Sequence, residues 1–309
     1  MKEVQLDLTP RFNRRLSFFS KKGISGTFMA SGGMTAMFRG EKKQQFYKGK
    51  GMTFDGFREY SPQDDARMID WKASLKANKK LVRKFSEEKN KNIIFLFDVS
   101  SSMSYSSHLK LKNEYAAELI SSLAYSFLFT GDSIGLVMFS DHLNWTRTVS
   151  VGEGQWNNIC EDLKKPEHYG GKFSFSKVAR ELMGYINMDA VIILVTDMIG
   201  LEGDEEWHKM YEIMATKFEL MTLLIRDPFD NFLPRGLGNM TLESPFSRRL
   251  SIVDMASVRD YYNIETNKFI GEMKFFSDKL GADFLMLTTE KDFFAPVMDF
   301  LTWRESVWG

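Results

Sequence analysis

Residues 93–103 read Ile93-Ile94-Phe95-Leu96-Phe97-Asp98-Val99-Ser100-Ser101-Ser102-Met103, and this stretch decides the fold. Five apolar residues in a row closed by an aspartate mark a strand buried on both faces. A short polar turn then leads into residues 109–130. There Leu111, Tyr115, Leu119, Leu123 and Phe127 recur every four positions as the apolar stripe of a helix. Val191–Thr196 repeats the first pattern, a fully apolar strand ended by Asp197. Between and beyond these, strands are expected at 134–139, 145–151, 219–225 and 283–287. Helices are expected at 155–163, 175–186, 204–216, 268–280 and 292–301. Residues 226–249 are a Pro/Gly-punctuated excursion after the fifth strand. Such alternation predicts an α/β fold, a doubly wound and mostly parallel sheet with right-handed crossovers.

Upstream of residue 92 the chain is Gly-rich, basic and weakly periodic. The expected organisation is therefore an N-terminal accessory segment over 1–91, the α/β domain over 92–303, and a tail over 304–309. Basic and acidic side chains are equal at 41 each, so no bulk attraction to nucleic acid is implied. Residues 1–50 nevertheless carry eleven basic and three acidic side chains. That front can attach to an acidic partner, to a membrane surface or to the rest of the chain. Cys160 is the single cysteine, which excludes an intrachain disulfide, points to a reducing compartment and reads as core filler. There is no transmembrane segment and no signal-peptide core, so a cytoplasmic protein is expected.

Asp98, Ser100 and Ser102 sit where a buried strand ends, the place where open α/β sheets bind ligands. One anionic and two neutral oxygens at alternate positions suit Mg²⁺ (or Mn²⁺) better than a soft metal. The alternative is that they cap the following helix. Asp197 weighs toward metal, because two aspartates across one crevice repel unless a cation or a proton lies between them. The four histidines, His108, His142, His168 and His208, are isolated in sequence and read as surface residues. No phosphate-binding glycine loop with its Lys-Ser/Thr exists, so the chain is not expected to be an ATPase.

The string Asp98 to Met103 and the strand end Val195-Thr196-Asp197 resemble the metal-ion-dependent adhesion site of von Willebrand factor A domains. Phe57-Arg58-Glu59-Tyr60-Ser61-Pro62-Gln63-Asp64-Asp65-Ala66-Arg67-Met68-Ile69-Asp70-Trp71-Lys72 resembles the signature of the bacterial family called domain of unknown function 58. Leu81-Val82-Arg83-Lys84-Phe85, Asp227-Pro228, Leu233-Pro234, Val253-Asp254 and Tyr261 fit that family as well. The resemblance covers roughly residues 45–303. It implies strand order 3-2-1-4-5-6, with Asp98 and Asp197 on the strands flanking the switch point. It also implies a MoxR-type AAA+ ATPase as partner, and no established enzymatic activity. The adhesion site takes a threonine from a third loop. Here that loop reads Gly170-Gly171-Lys172-Phe173-Ser174-Phe175-Ser176, and Ser174 supplies the equivalent hydroxyl. In register, Lys172 or Ser176 would be the competitors.

These readings converge on metal-dependent protein binding, with a carboxylate from a protein partner completing the coordination and no catalytic residue. Two rivals stay open: a metal-dependent phosphohydrolase using Asp98 as nucleophile, and a membrane- or nucleic-acid-binding adaptor driven by the basic front. Within the signature block the charges alternate in sign around Trp71. The block is expected to dock the N-terminal segment onto the α/β domain as a salt-bridged clamp, with the buried indole as anchor, or else to serve as a recognition surface for the ATPase.

Overall fold

The computed structural model describes residues 6–8, 11, 14–15, 29–30, 52–62, 64–87 and 90–308. An antiparallel hairpin, β1 (Met52–Glu59) with β2 (Leu81–Glu87), carries the short helix α1 (Trp71–Ala77) in its connection. The α/β unit then runs β3 (Asn92–Asp98), α2 (Lys112–Thr130), β4 (Ser133–Phe139), β5 (Leu143–Ser150), α3 (Glu153–Leu163), α4 (Phe175–Tyr185) and β6 (Val191–Thr196). It continues with α5 (Trp207–Lys217), β7 (Glu219–Arg226) and the single turn α6 (Pro228–Asn231). A hairpin of β8 (Asn239–Glu243) and β9 (Leu250–Asp254) follows, then α7 (Met255–Lys279), β10 (Asp283–Thr288) and α8 (Phe294–Trp308).

The main sheet has the order β10-β7-β6-β3-β4-β5, parallel throughout except for β5 at its edge. Counted along the chain within the sheet, this is 3-2-1-4-5-6. The strand order reverses between β3 and β6, and both are central, which is why they are continuous apolar runs. Alternate residues serve opposite faces. Ile93, Phe95 and Phe97 pack with side chains of α2, α3 and α8. Ile94 and Leu96 pack with those of α4, α5 and α7. The Gly131 backbone takes φ +98 at the end of α2, the left-handed closure that glycine allows without a Cβ clash. No helix of the described residues is long and apolar enough to cross a membrane.

Several sequence expectations are corrected. The helix expected at 268–280 is the second half of α7, which begins at Met255 under an Asp254 cap. Its first half is mostly exposed and so carries little apolar stripe to read. The excursion after β7 contains α6 and the β8–β9 hairpin. The expected tail is helical to Trp308, and Arg304 within it is buried against Glu219 and Asp283.

Trp71 is not a buried anchor: it is 63% exposed. The ion pairs of the signature block, Arg58–Asp64, Lys79–Glu59 and Arg83–Asp70, brace the β1–β2 hairpin itself. Among the described residues, docking to the α/β unit is seen at positions nearer the start of the chain. Leu8 is buried in the core, its carbonyl accepts from the Ser121 hydroxyl at 3.0 Å, and Arg11 pairs with Asp292 at 2.9 Å. Trp71→Ala is therefore expected to change the unfolding free energy by less than about 1 kcal/mol, as surface substitutions do. Urea denaturation measures this, and a loss of about 3 kcal/mol or more, as for a buried indole, would contradict the exposed placement.

Candidate functional site

The carboxyl ends of β3 and β6 hold Asp98 and Thr196-Asp197, all fully buried. The Asp98 carboxylate is held by two donors: the Ser100 N–H reaches Oδ1 at 2.9 Å and the Thr196 hydroxyl reaches Oδ2 at 2.7 Å. The Ser100 and Ser102 hydroxyls lie 3.0 Å apart, and Ser102 donates to Asp197 Oδ1 at 3.1 Å. Asp98, Ser100, Ser102 and Asp197 therefore form one buried, oxygen-lined chain across the switch point. None of them caps α2, which starts only at Lys112, with the Leu111 N–H held by Glu114. The 3-10 turn after Ser100 (Ser101–Ser104) has no side-chain cap either.

Lys112, the first residue of α2, was missed by sequence reasoning. It is fully buried, and its ammonium donates to Asp197 Oδ2 and to Asp230 Oδ2, each at 2.8 Å. A cation at a helix N-terminus opposes the helix dipole, so the two carboxylates must outweigh that cost. Burial works against its charge, yet Asp197 and Asp230 raise its pKa above the ordinary lysine value. Arg226 closes the far side, donating to the backbone carbonyls of Asp197 and Asp230. Asp227 ties down the loop after the motif by accepting from the Ser107 N–H at 2.7 Å and from the Ser106 and Ser107 hydroxyls.

Four buried carboxylates (Asp98, Asp197, Asp227 and Asp230) stand against two buried cations, Lys112 and Arg226. Fully ionised, the cluster has two uncompensated negative charges, which burial makes costly. Asp98 responds: burial first, then the neighbouring Asp197, push its pKa up to about 7 against the pull of the Thr196 and Ser100 donors. Among the described residues no three His, Cys, Asp or Glu side chains converge on one point as a metal cage. A cation in this crevice would lean on hydroxyls and water as well as on the aspartates.

The third loop lies against the first. Ser101 N–H donates to the Gly171 carbonyl at 3.0 Å, Gly170 N–H donates to that of Val99 at 2.7 Å, and Gly171 N–H donates to the Ser101 hydroxyl. Phe173 and Phe175 on either side of Ser174 turn into the core. The Ser174 hydroxyl lies 3.4 Å from Asp204 Oδ2, and Ser176 N–H donates to the same oxygen at 2.7 Å. Lys172 is exposed. His168, expected at the surface, is buried and stacked on Trp145. Cys160 is buried beside the Ser121 hydroxyl.

Fold and site together define an α/β protein with a buried cluster of aspartates and hydroxyls at the switch point of a doubly wound sheet. The profile of the family described as "Protein of unknown function DUF58" matches residues 56–268, and the chain belongs to that family. Among solved structures the chain is similar to the conserved hypothetical protein BatB from Bacteroides thetaiotaomicron. The two share 13% identity over 70% of this chain and 99% of that one, with a TM-score of 0.45. It is also similar to an uncharacterized membrane spanning protein from Vibrio fischeri, at 14% identity over 72% and 100% of the two chains, TM-score 0.26. No curated protein matches the chain.

Proposed function

We propose that this is a metal-dependent protein-binding protein whose α/β unit is of the von Willebrand factor A type. Asp98, Ser100 and Ser102 would hold Mg²⁺ (or Mn²⁺), with Asp197 reaching it directly or through water, and Ser174 of the third loop would join them by turning its hydroxyl away from Asp204. When bound, the cation offers an open position to a carboxylate of a partner protein. The observation that carries this reading is the excess of buried carboxylates over buried cations in a cluster lined by hard oxygen donors, which a divalent cation would balance once Asp98 gives up its proton. Thr196 and Ser100 orient Asp98, while Lys112 and Ile199 N–H orient Asp197. A MoxR-type AAA+ ATPase in the cytoplasm is the proposed working partner. The task is binding, not bond-breaking: the position two residues after Asp98, where a phosphohydrolase would want its second acid, is Ser100.

Calorimetric titration of the protein with Mn²⁺ tests the reading, and the absence of a saturable site defeats it. Ser174→Ala is expected to weaken Mn²⁺ binding by about 1–3 kcal/mol, the range for one unmatched polar partner. Ser174→Thr, which keeps the hydroxyl, is expected to hold it. Lys172→Ala and Ser176→Ala are the controls, and a larger loss in either would move the third-loop role to that residue.

A further inference from the structure

A cavity of about 670 Å³ opens beside the crevice, between residues 198–202, the turn after β8 and one face of α7. That volume is within the roughly 300–1,000 Å³ of ordinary ligand sites. It shares a wall with the crevice: Met198 and Ile199 directly follow Asp197, and Arg226, which holds the Asp197 carbonyl, also lines it. Tyr261, Glu265, Phe269 and Glu272 recur at three- and four-residue spacing along α7 and form one side. Phe246 and Glu202 come from the other. Gly200 lets residues 198–202 pack closely on the turn after β8, because a Cβ there would meet the Phe246 ring at 3.1 Å.

The lining has two chemical parts. Phe246, Tyr261 and Phe269 offer aromatic surface. Glu202, Glu265 and Glu272 are exposed and make no ion pair among the described residues. The cations of the lining are Lys268 and Arg226, and Arg226 is already engaged with Asp197, Asp230 and Asn231. We propose that this cavity is a subsite for a basic side chain, arginine above all, carried on an extended segment of a partner protein. The methylene stem lies along the apolar wall, the guanidinium plane stacks on a ring, and its donors reach the carboxylates. Because the subsite stands on its own lining, it does not require the metal.

Selection of short random peptides on the full chain, once in Mn²⁺ and once in EDTA, tests this. The expected result is enrichment of arginine or lysine under both conditions. The selected peptide should then bind Glu265→Gln/Glu272→Gln about tenfold more weakly by fluorescence polarisation, with Mn²⁺ titration of that variant unchanged. Enrichment of basic residues in a chain that titrates no Mn²⁺ supports the subsite and counts against the metal reading alone. Selection without basic enrichment, or unchanged affinity in the double variant, overturns the proposal.

Discussion

Lys112→Met is expected to lower the unfolding free energy by about 3–5 kcal/mol in chelator, the range for breaking a buried ion pair by removing one partner. The methionine keeps the length and flexibility of the stem, so the loss reports the charge rather than the packing. Without the ammonium, Asp197 and Asp230 face each other across the end of α2 with no cation between them. Urea titration reads the effect. Added Mn²⁺ is expected to restore part of it, because a ligand that binds only the folded state stabilises that state and here supplies the missing positive charge. A loss below about 1 kcal/mol would mean that the carboxylates are already neutral, and the charge argument for the metal would go with it.

Asp98→Ala is expected to weaken Mn²⁺ binding at least about 100-fold, beyond the 10–100-fold typical for outer partners of a metal site. The fold should survive, because the residue removed is a buried charge and not a packing element. The pH dependence follows from the Asp98 carboxyl, whose pKa is pushed to about 7 by burial and then by Asp197. Below that pH the free protein keeps a proton there that a cation must displace, so Mn²⁺ affinity is expected to rise with pH and level off above about 7. Stability without metal has the opposite sign. The folded carboxyl holds its proton more tightly than the unfolded one, so its contribution is full below the unfolded pKa and is lost as pH rises through about 7. Asp98→Asn should flatten both profiles. Calorimetry and urea titration across pH measure them, and an Mn²⁺ affinity insensitive to the Asn variant removes Asp98 from the site.

The parts of the site carried by β3 and β6 were legible in the sequence, because central strands of a parallel sheet must be apolar throughout. An aspartate ending such a run stands out against it. Ser100 and Ser102 were legible with it. Lys112 was not. A lysine at the head of an amphipathic helix reads as solvated unless the tertiary structure brings carboxylates over it, and Asp197 and Asp230 lie 85 and 118 residues away. Asp227 was visible only as part of a Asp-Pro step, with nothing local to link it to Ser107. Trp71 failed for the converse reason: size and hydrophobicity suggest burial, but exposure is set by what packs over a residue. In α7, the mostly solvated first half lacked the periodicity that its second half shows.

The strand order also bears on how the chain is made. β3 is central, and Ile93 pairs with Ile134 on one side and Val191 on the other. The second neighbour is synthesised roughly a hundred residues later, which at about 5–20 residues per second takes roughly 5–20 s. Throughout that interval Ile93-Ile94-Phe95-Leu96-Phe97 has at least one open edge, and both until β4 is made; uncharged β-prone segments of this kind associate between chains. Expression at lower temperature, or with chaperones that hold nascent chains, is therefore expected to raise the soluble yield more than any surface substitution.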